Sequence, residues 1–240
     1  MGLCRVTEHF LGVRDLVGLR ALDIGCSTGY IADVLREKGA RVTGIDIDTS
    51  GLATANRRFG PGVTFANGDG DALPFADQSI DLIVFNHIYE HAVDADSVMT
   101  EIRRLIKPDG VIYLGLGNRF GIIEPHYGLP FLSWLPRGLA DRYIRWAGKA
   151  PHYHEQFRTR RDLKRMCQGL NVWEYTYTVL GQPGDFGSDD MVKGRLASVP
   201  IQIWRALTPI LPTFIWVATP SDRRPAGPRP SVAPTQVVRA

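Results

Sequence analysis

Residues 23–30 read Asp23-Ile24-Gly25-Cys26-Ser27-Thr28-Gly29-Tyr30. The residues leading into them, 21–25, form a short apolar run of strand type. Those that follow, 29–38, place Ile31, Val34 and Leu35 at helical spacing. A strand, a turn of small residues and a helix N-terminus make a general ligand-binding device. Glycines let the backbone approach closely, and the free N–H groups of the helix start point at the ligand. A tight turn with no ligand is the alternative for this segment taken alone. A dinucleotide fingerprint, G-x-G-x-x-G, fails at two of its three glycines, where Ser27 and Tyr30 stand. Asp23, just ahead of the first glycine, would repel a pyrophosphate and suits a cation or an amine.

Working outward, apolar runs alternate with amphipathic ones, the pattern of a parallel sheet covered by helices. Strands are predicted over 21–25, 41–46, 63–68, 80–86, 111–117, 172–180 and 213–219, and helices over 29–38, 50–58, 96–106 and 159–168. The run at 80–86 is continuous enough to be buried on both faces. The alternation stops over 118–157, rich in Pro, Gly, His and aromatics, and again over 181–212. Inserts of that length are usually functional. Residues 221–240 contain four prolines and no periodicity, and 220–240 is expected to be a disordered basic tail. The expected organisation is one domain, 1–219, with an acceptor-site insert or lid at 118–157 and a second insert at 181–212.

Composition narrows the function classes. The 240 residues are 44% hydrophobic and 22% charged, with a net charge of +3. Four Arg and one Asp in the last twenty residues supply that +3, so a nucleic-acid footprint over the body is not indicated. Three scattered cysteines (Cys4, Cys26, Cys167) read as reduced thiols of a cytoplasmic protein. The N-terminus has no apolar signal core, and 199–217, broken by Arg205 and three prolines, is a poor transmembrane helix.

The turn resembles motif I of the class I S-adenosylmethionine-dependent methyltransferases, D-x-G-x-G-x-G, with Ser27 replacing the middle glycine. That replacement demands an accessible φ at Ser27. The resemblance continues in family order to about residue 117. Gly44-Ile45-Asp46-Ile47-Asp48 ends the second strand about twenty residues after the turn. Asn67-Gly68-Asp69-Gly70-Asp71 follows the third, Ile80–Asn86 matches the fourth, and Lys107-Pro108-Asp109-Gly110 leads into the fifth. It implies a Rossmann-like α/β fold: a seven-stranded, mostly parallel sheet with helices on both faces, inserts after strands 5 and 6, and an antiparallel last strand. It implies S-adenosylmethionine as cofactor. The backbone of Gly25, Cys26 and Gly29 would meet its carboxylate and Asp23 its amine and sulfonium end. Asp46 would take the ribose diol, Ile47 the adenine face, and Asp69 with the Gly70 backbone the base edge. The Asn86 carbonyl would meet the methionine moiety. Asp48 reads as a helix cap, and Asp71 as a solvated turn. His9-Phe10 either folds over the cofactor or packs ordinarily.

The fold does not fix the acceptor. The insert after the fifth strand holds three of the six histidines. A hydroxyl is a weak nucleophile and needs its proton removed during methyl transfer, for which an imidazole oriented by a carboxylate is suited. His126 with Glu124 is the first candidate base, His154 with Glu155 the second, and His91 ranks below them. Loop capping is the alternative for each. His152-x-His154 alone is a weak metal signal, and no metal is expected. Nine Lys/Arg against three acids between Arg137 and Arg165 read either as solvated helix faces or as a site for an acidic acceptor. The stretch 124–145 resembles, less specifically, inserts of bacterial methyltransferases of saccharide and cell-surface glycan pathways. The resulting expectation is O-methylation of a small, saccharide or saccharide-linked, acidic acceptor. N- or C-methylation of a planar molecule or quinone, and non-catalytic binding of the cofactor, stand as alternatives. Residues 200–204 read as a peripheral membrane contact, a homodimer interface or plain core.

Overall fold

Four successive residues of one strand, Leu82, Ile83, Val84 and Phe85, are fully buried. Leu82 and Val84 enter one apolar core, while Ile83 and Phe85 enter another. A strand that feeds two cores lies inside a sheet covered on both faces. In the computed structural model of the chain, which describes residues 2–189 and 199–240, that strand is flanked by others on each side. The strands are β1 (Arg20–Ile24), β2 (Arg41–Asp46), β3 (Thr64–Asn67), β4 (Ile80–Asn86), β5 (Ile106–Gly117), β6 (Ile123–Glu124), β7 (Leu129–Pro130), β8 (Asn171–Glu174), β9 (Thr213–Thr219) and β10 (Thr235–Val238). The main sheet runs β10-β8-β9-β5-β4-β1-β2-β3, and β6-β7 is a separate hairpin. Strands β1 to β5 are mutually parallel, and β9 is antiparallel to β5 and β8. The sheet is the expected Rossmann-like one with an antiparallel β9, but it has eight strands rather than seven.

The helices are α1 (Gly2–Leu11), α2 (Tyr30–Glu37), α3 (Thr49–Phe59), α4 (Ala95–Leu105), α5 (Arg137–Trp146), α6 (Arg160–Met166), α7 (Thr176–Gly181) and α8 (Ile201–Ala206). One face of the sheet packs on α1 and α2 through Val6, Phe10, Ala32 and Leu35. The other packs on α4 and α6 through Val98, Ile102, Leu163 and Met166. Asp48, Asp94 and Thr159 cap α3, α4 and α6 by accepting backbone N–H bonds.

Two expectations are corrected. The run 172–180 is not one strand: β8 stops at Glu174 and α7 begins at Thr176. Its Tyr and Thr residues favour a strand in isolation. Here the Thr176 hydroxyl accepts the Ile215 N–H (2.9 Å) and the Tyr175 N–H donates to the Ile215 carbonyl (2.8 Å). These bonds close the β9 edge at that point, and α7 is buried from Thr176 to Val179, with Tyr177 in one core and Val179 in the other. The tail is not disordered: β10 pairs antiparallel with β8, and the Ala226 and Gly227 N–H groups bond to Phe10 and His9 carbonyls (3.1 and 2.8 Å). Its prolines are confined to 225–234, which leaves Thr235–Val238 free to close the otherwise open β8 edge. In the second insert, Ile201 and Trp204 pack against the core. Residues 190–198 of that insert lie outside the described residues.

Candidate active site

The strand order reverses between β1 and β4, and the carboxyl ends of β1, β2 and β4 open there into a crevice. Gly25 has φ +75°, and a Cβ on it would lie 2.3 Å from Ile88 Cδ1. No side chain fits where Ile88 closes over the turn. Gly29, φ +83°, is pressed between Phe65 and Ala55 in the same way. Ser27 has φ +46°. The turn therefore keeps its left-handed geometry without the motif's middle glycine, at a cost of about 1 kcal/mol. Cys26 is buried, its Sγ lying against Gly44. Burial, then Asp23 and Asp46, push its thiol up to about 12, so it packs rather than reacts.

Asp46 ties the turn to β2. Its carboxylate accepts the Ser27 N–H at 2.7 Å and the Asp48 N–H at 2.8 Å. Asn67 Nδ2 donates to the Asp46 and Ile47 carbonyls (3.0 and 3.1 Å), which fixes the strand end. Each Asp46 oxygen keeps a lone pair for a hydroxyl. The segment carrying Asp69 and Gly70 is clamped to α4. Glu101 accepts the Leu73 N–H (2.8 Å), and Arg104 donates to the Phe75 carbonyl (2.8 Å) and to both Glu101 oxygens. Asp46, Ile47, Asp69 and Gly70 thereby line one cavity of about 270 Å³, closed by Ile24, Ile88 and Val98. Its apolar walls and carboxylate rim suit a flat base and a ribose. Ile47, 71% exposed, stands at its mouth.

Asp23 lies beneath the turn, 2% exposed, with Oδ2 lacking any hydrogen-bond partner. Burial pushes its carboxyl up to about 7, with the Ala32 backbone pulling it down and Asp46 adding to the rise. A buried, half-satisfied carboxylate fits an ammonium ligand, which would restore its charge. Asn86, the last residue of β4, lines a second cavity of about 220 Å³ with Gly2, Leu3 and Val6 of α1. The N-terminal helix therefore contributes its first turns to a cavity. His9 and Phe10 do not line this one: Phe10 is core, and His9 bonds Tyr175 Oη (2.8 Å) and the Pro228 carbonyl (2.9 Å).

The insert brings Glu124 and His126 together. Glu124, 1% exposed on β6, accepts from His126 Nδ1 at 2.7 Å and from the Tyr127 N–H at 2.8 Å. That bond turns His126 Nε2 outward as the free ring nitrogen. The His126 ring lies 4.7 Å from that of His91 and 5.8 Å from that of Phe157. His91 itself lines the 270 Å³ cavity. His154 is exposed, its ring 6.2 Å from that of His152, and its N–H rather than its ring meets Glu155. Glu90 immediately precedes His91 in the sequence. It is fully buried with neither carboxylate oxygen hydrogen-bonded, 3.4 Å from His87 Nδ1. Glu90, His91 and His126 present ligand-type atoms within 4.8 Å of one another. The adjacent pair Glu90-His91 was the only sequence signal for this cluster, since His126 reaches it from 35 residues away through the insert. Three of the nine cations of the basic stretch are neutralised: Arg158 forks onto Asp96 (2.7 and 2.9 Å), Arg160 meets Glu174 (2.6 Å) and Arg165 meets Asp162 (3.1 Å).

Residues 22–114 match the family model described as "Methyltransferase domain". Among curated proteins, the chain is 31% identical over 144 residues to a ubiquinone biosynthesis O-methyltransferase of Sinorhizobium medicae, covering 56% of this chain and 58% of that protein. It is 33% identical over 142 residues to a protein of the same name from Pseudomonas aeruginosa, covering 54% and 60%. The chain thus spans somewhat over half the length of these relatives. Among solved structures, a Mesorhizobium loti S-adenosylmethionine-dependent methyltransferase superposes with a TM-score of 0.57 at 18% identity, covering 90% of this chain and 97% of that one. The cyclase SpnF superposes at 0.54 with 20% identity, covering 92% and 79%. At such identities these structures speak to the fold alone.

Proposed function

We propose that this chain is a class I S-adenosylmethionine-dependent methyltransferase, as the match of residues 22–114 to the methyltransferase-domain model supports, and that it transfers a methyl group to a hydroxyl of a small acceptor. Bound S-adenosylmethionine supplies the electrophilic methyl. Asp46 would hold the ribose diol, Asp69 and the Gly70 backbone the base edge, Ile47 its face, and the Gly25–Gly29 backbone with Asp23 the amino-acid end. One observation carries the oxygen acceptor: the Glu124–His126 pair meets His91 at 4.7 Å, at the rim of the cofactor cavity. Glu124 holds the His126 tautomer, Nε2 takes the hydroxyl proton as the acceptor oxygen attacks, and the buried carboxylate stabilises the imidazolium. A nitrogen acceptor would need no such pair. His154, whose ring meets no carboxylate among the described residues, ranks below His126 as a base.

The expected saccharide acceptor has no counterpart in the names of the relatives, and three of the nine cations offered to an acidic one pair with Asp96, Glu174 and Asp162. A ring-bearing hydroxyl, packed against Phe157 and Ile88, is the acceptor class we favour. The test is transfer from labelled S-adenosylmethionine to phenols, quinols, saccharides and amines, read by mass shift. Label on a phenolic or quinol oxygen is expected, and transfer lost with His126→Ala. Label only on nitrogen, or undiminished oxygen transfer by the variant, overturns the reading. Cofactor binding with no turnover at all would favour a sensor or partner subunit.

A second reading rests on Glu90. Its two unpartnered oxygens beside His91 and His126 could hold a divalent cation, which would acidify the hydroxyl in place of His126. Activity that falls in EDTA and returns with a divalent cation favours it. Activity unchanged in EDTA favours the imidazole.

A further inference from the structure

The insert that supplies Glu124 and His126 turns an unusual surface outward. We propose that its outer face, within residues 119–149, seats on an anionic phospholipid surface. Phe120 and Phe131 flank Trp134 with ring centroids at 5.4 and 5.2 Å, and all three are exposed. Phe131 holds φ +57°, a conformation that a phenylalanine rarely adopts, and its ring remains 48% exposed. Ile122 and Ile123, also exposed, continue the patch, with the Phe131 N–H bonded to the Ile122 carbonyl at 2.7 Å. On α5, Ala140 and Ile144 are buried, whereas Leu139, Arg142 and Trp146, spaced i, i+3 and i+7, share the open face. Trp146 is 84% exposed. This is a cluster of large apolar side chains, not the scattered singles of an ordinary surface.

Charge selects the occupant. Arg137, Arg142, Arg145 and Lys149 are exposed, and no carboxylate pairs with them among the described residues. The nearby acids are turned inward: Glu124 binds His126, and Asp141 accepts the Tyr153 N–H at 2.8 Å and faces His152 at 3.5 Å. Aromatic and aliphatic side chains ringed by unpaired cations are the composition of a membrane-interface segment. A second copy would bring the same four cations face to face, which disfavours self-association. Among the described residues no helix is long and apolar enough to cross a membrane, so the contact is peripheral.

The placement also deepens the proposed reaction, and in that respect rests on it. Ile123 and Glu124 are neighbours on β6, so the strand that offers Ile123 outward buries Glu124 beneath the hairpin. A hydroxylated acceptor dissolved in the bilayer would meet His126 at the lipid boundary.

The test is flotation of the full chain with phosphatidylcholine vesicles and with vesicles containing phosphatidylglycerol, across a salt series. Capture by the anionic vesicles alone, weakening with salt, is expected. Leu139→Asp with Trp146→Asp, and separately Arg142→Glu with Lys149→Glu, should each weaken capture by about tenfold or more. S-adenosylhomocysteine affinity and melting temperature, both independent of the acceptor, should stay unchanged. Wild type that stays unbound, variants that bind equally, or a wild-type dimer dispersed by the same substitutions would overturn the proposal. Vesicle binding by a chain that methylates nothing would preserve the docking surface and remove only the proposed reaction.

Discussion

Replacing Asp23 with Asn removes a charge that the cofactor-free protein holds at a loss. The carboxyl is raised from about 3.8 in the unfolded chain to about 7 in the fold, chiefly by burial. Between those values the folded state binds the extra proton, so stability falls as pH rises from about 4 to about 7 and stays low above that. At about 1.4 kcal/mol per pKa unit, the full effect is about 4 kcal/mol, of which about 2–3 kcal/mol accrues between pH 5 and pH 8. Asn pays an amide burial cost that does not vary with pH. Urea unfolding of both proteins without cofactor, at intervals over that range, should show the stability difference moving toward the variant by that amount. In the same variant, S-adenosylhomocysteine should bind about tenfold or more weakly, because its ammonium loses a buried partner. A stability difference that is flat with pH would refute the argument that Asp23 is held as a desolvated, half-satisfied acid.

Three further outcomes follow from the turn and its neighbours. Gly25→Ala drives a methyl into Ile88 at a positive φ, so it should abolish cofactor binding and lower the melting temperature; unchanged binding would dissociate this turn from the cofactor. Ser27→Gly relieves the left-handed serine and should change stability by no more than about 1 kcal/mol in its favour, as chemical denaturation would measure, with cofactor affinity kept. Asp46→Asn keeps the shape but weakens the bonds to Ser27 and to the ribose, so affinity should fall by about 10- to 100-fold by calorimetry.

The sheet was legible because its signals are local. Apolar runs of strand length alternate with helical periodicity, and the Gly25 turn, Asp46 and Asp69 each follow a strand end in order. The structure brings Asp46 and Asp69 to one cavity, and Asp48 caps α3 as its position indicated. What failed depends on partners remote in sequence. Thr176 and Tyr177 have strand propensity, yet become helical because β9 and two cores enclose them. The strand Thr235–Val238 exists because β8 presents an open edge, and nothing within the tail itself announces it. Glu124 and His126 were found through their spacing, since a two-residue separation lets a turn join them. Their meeting with His91 and Glu90 was not, because the path of the insert back to β4 is a tertiary fact. Within the basic stretch, the pairing of Arg158 with Asp96, 62 residues earlier, was hidden for the same reason.

The most direct measurement is a calorimetric titration of the full chain with S-adenosylhomocysteine. One site per chain is expected, weakened by Asp46→Asn and lost with Gly25→Ala. A titration with no heat at several temperatures, or binding that both substitutions leave intact, would contradict the assignment of the β1–β2 crevice to the methyl donor.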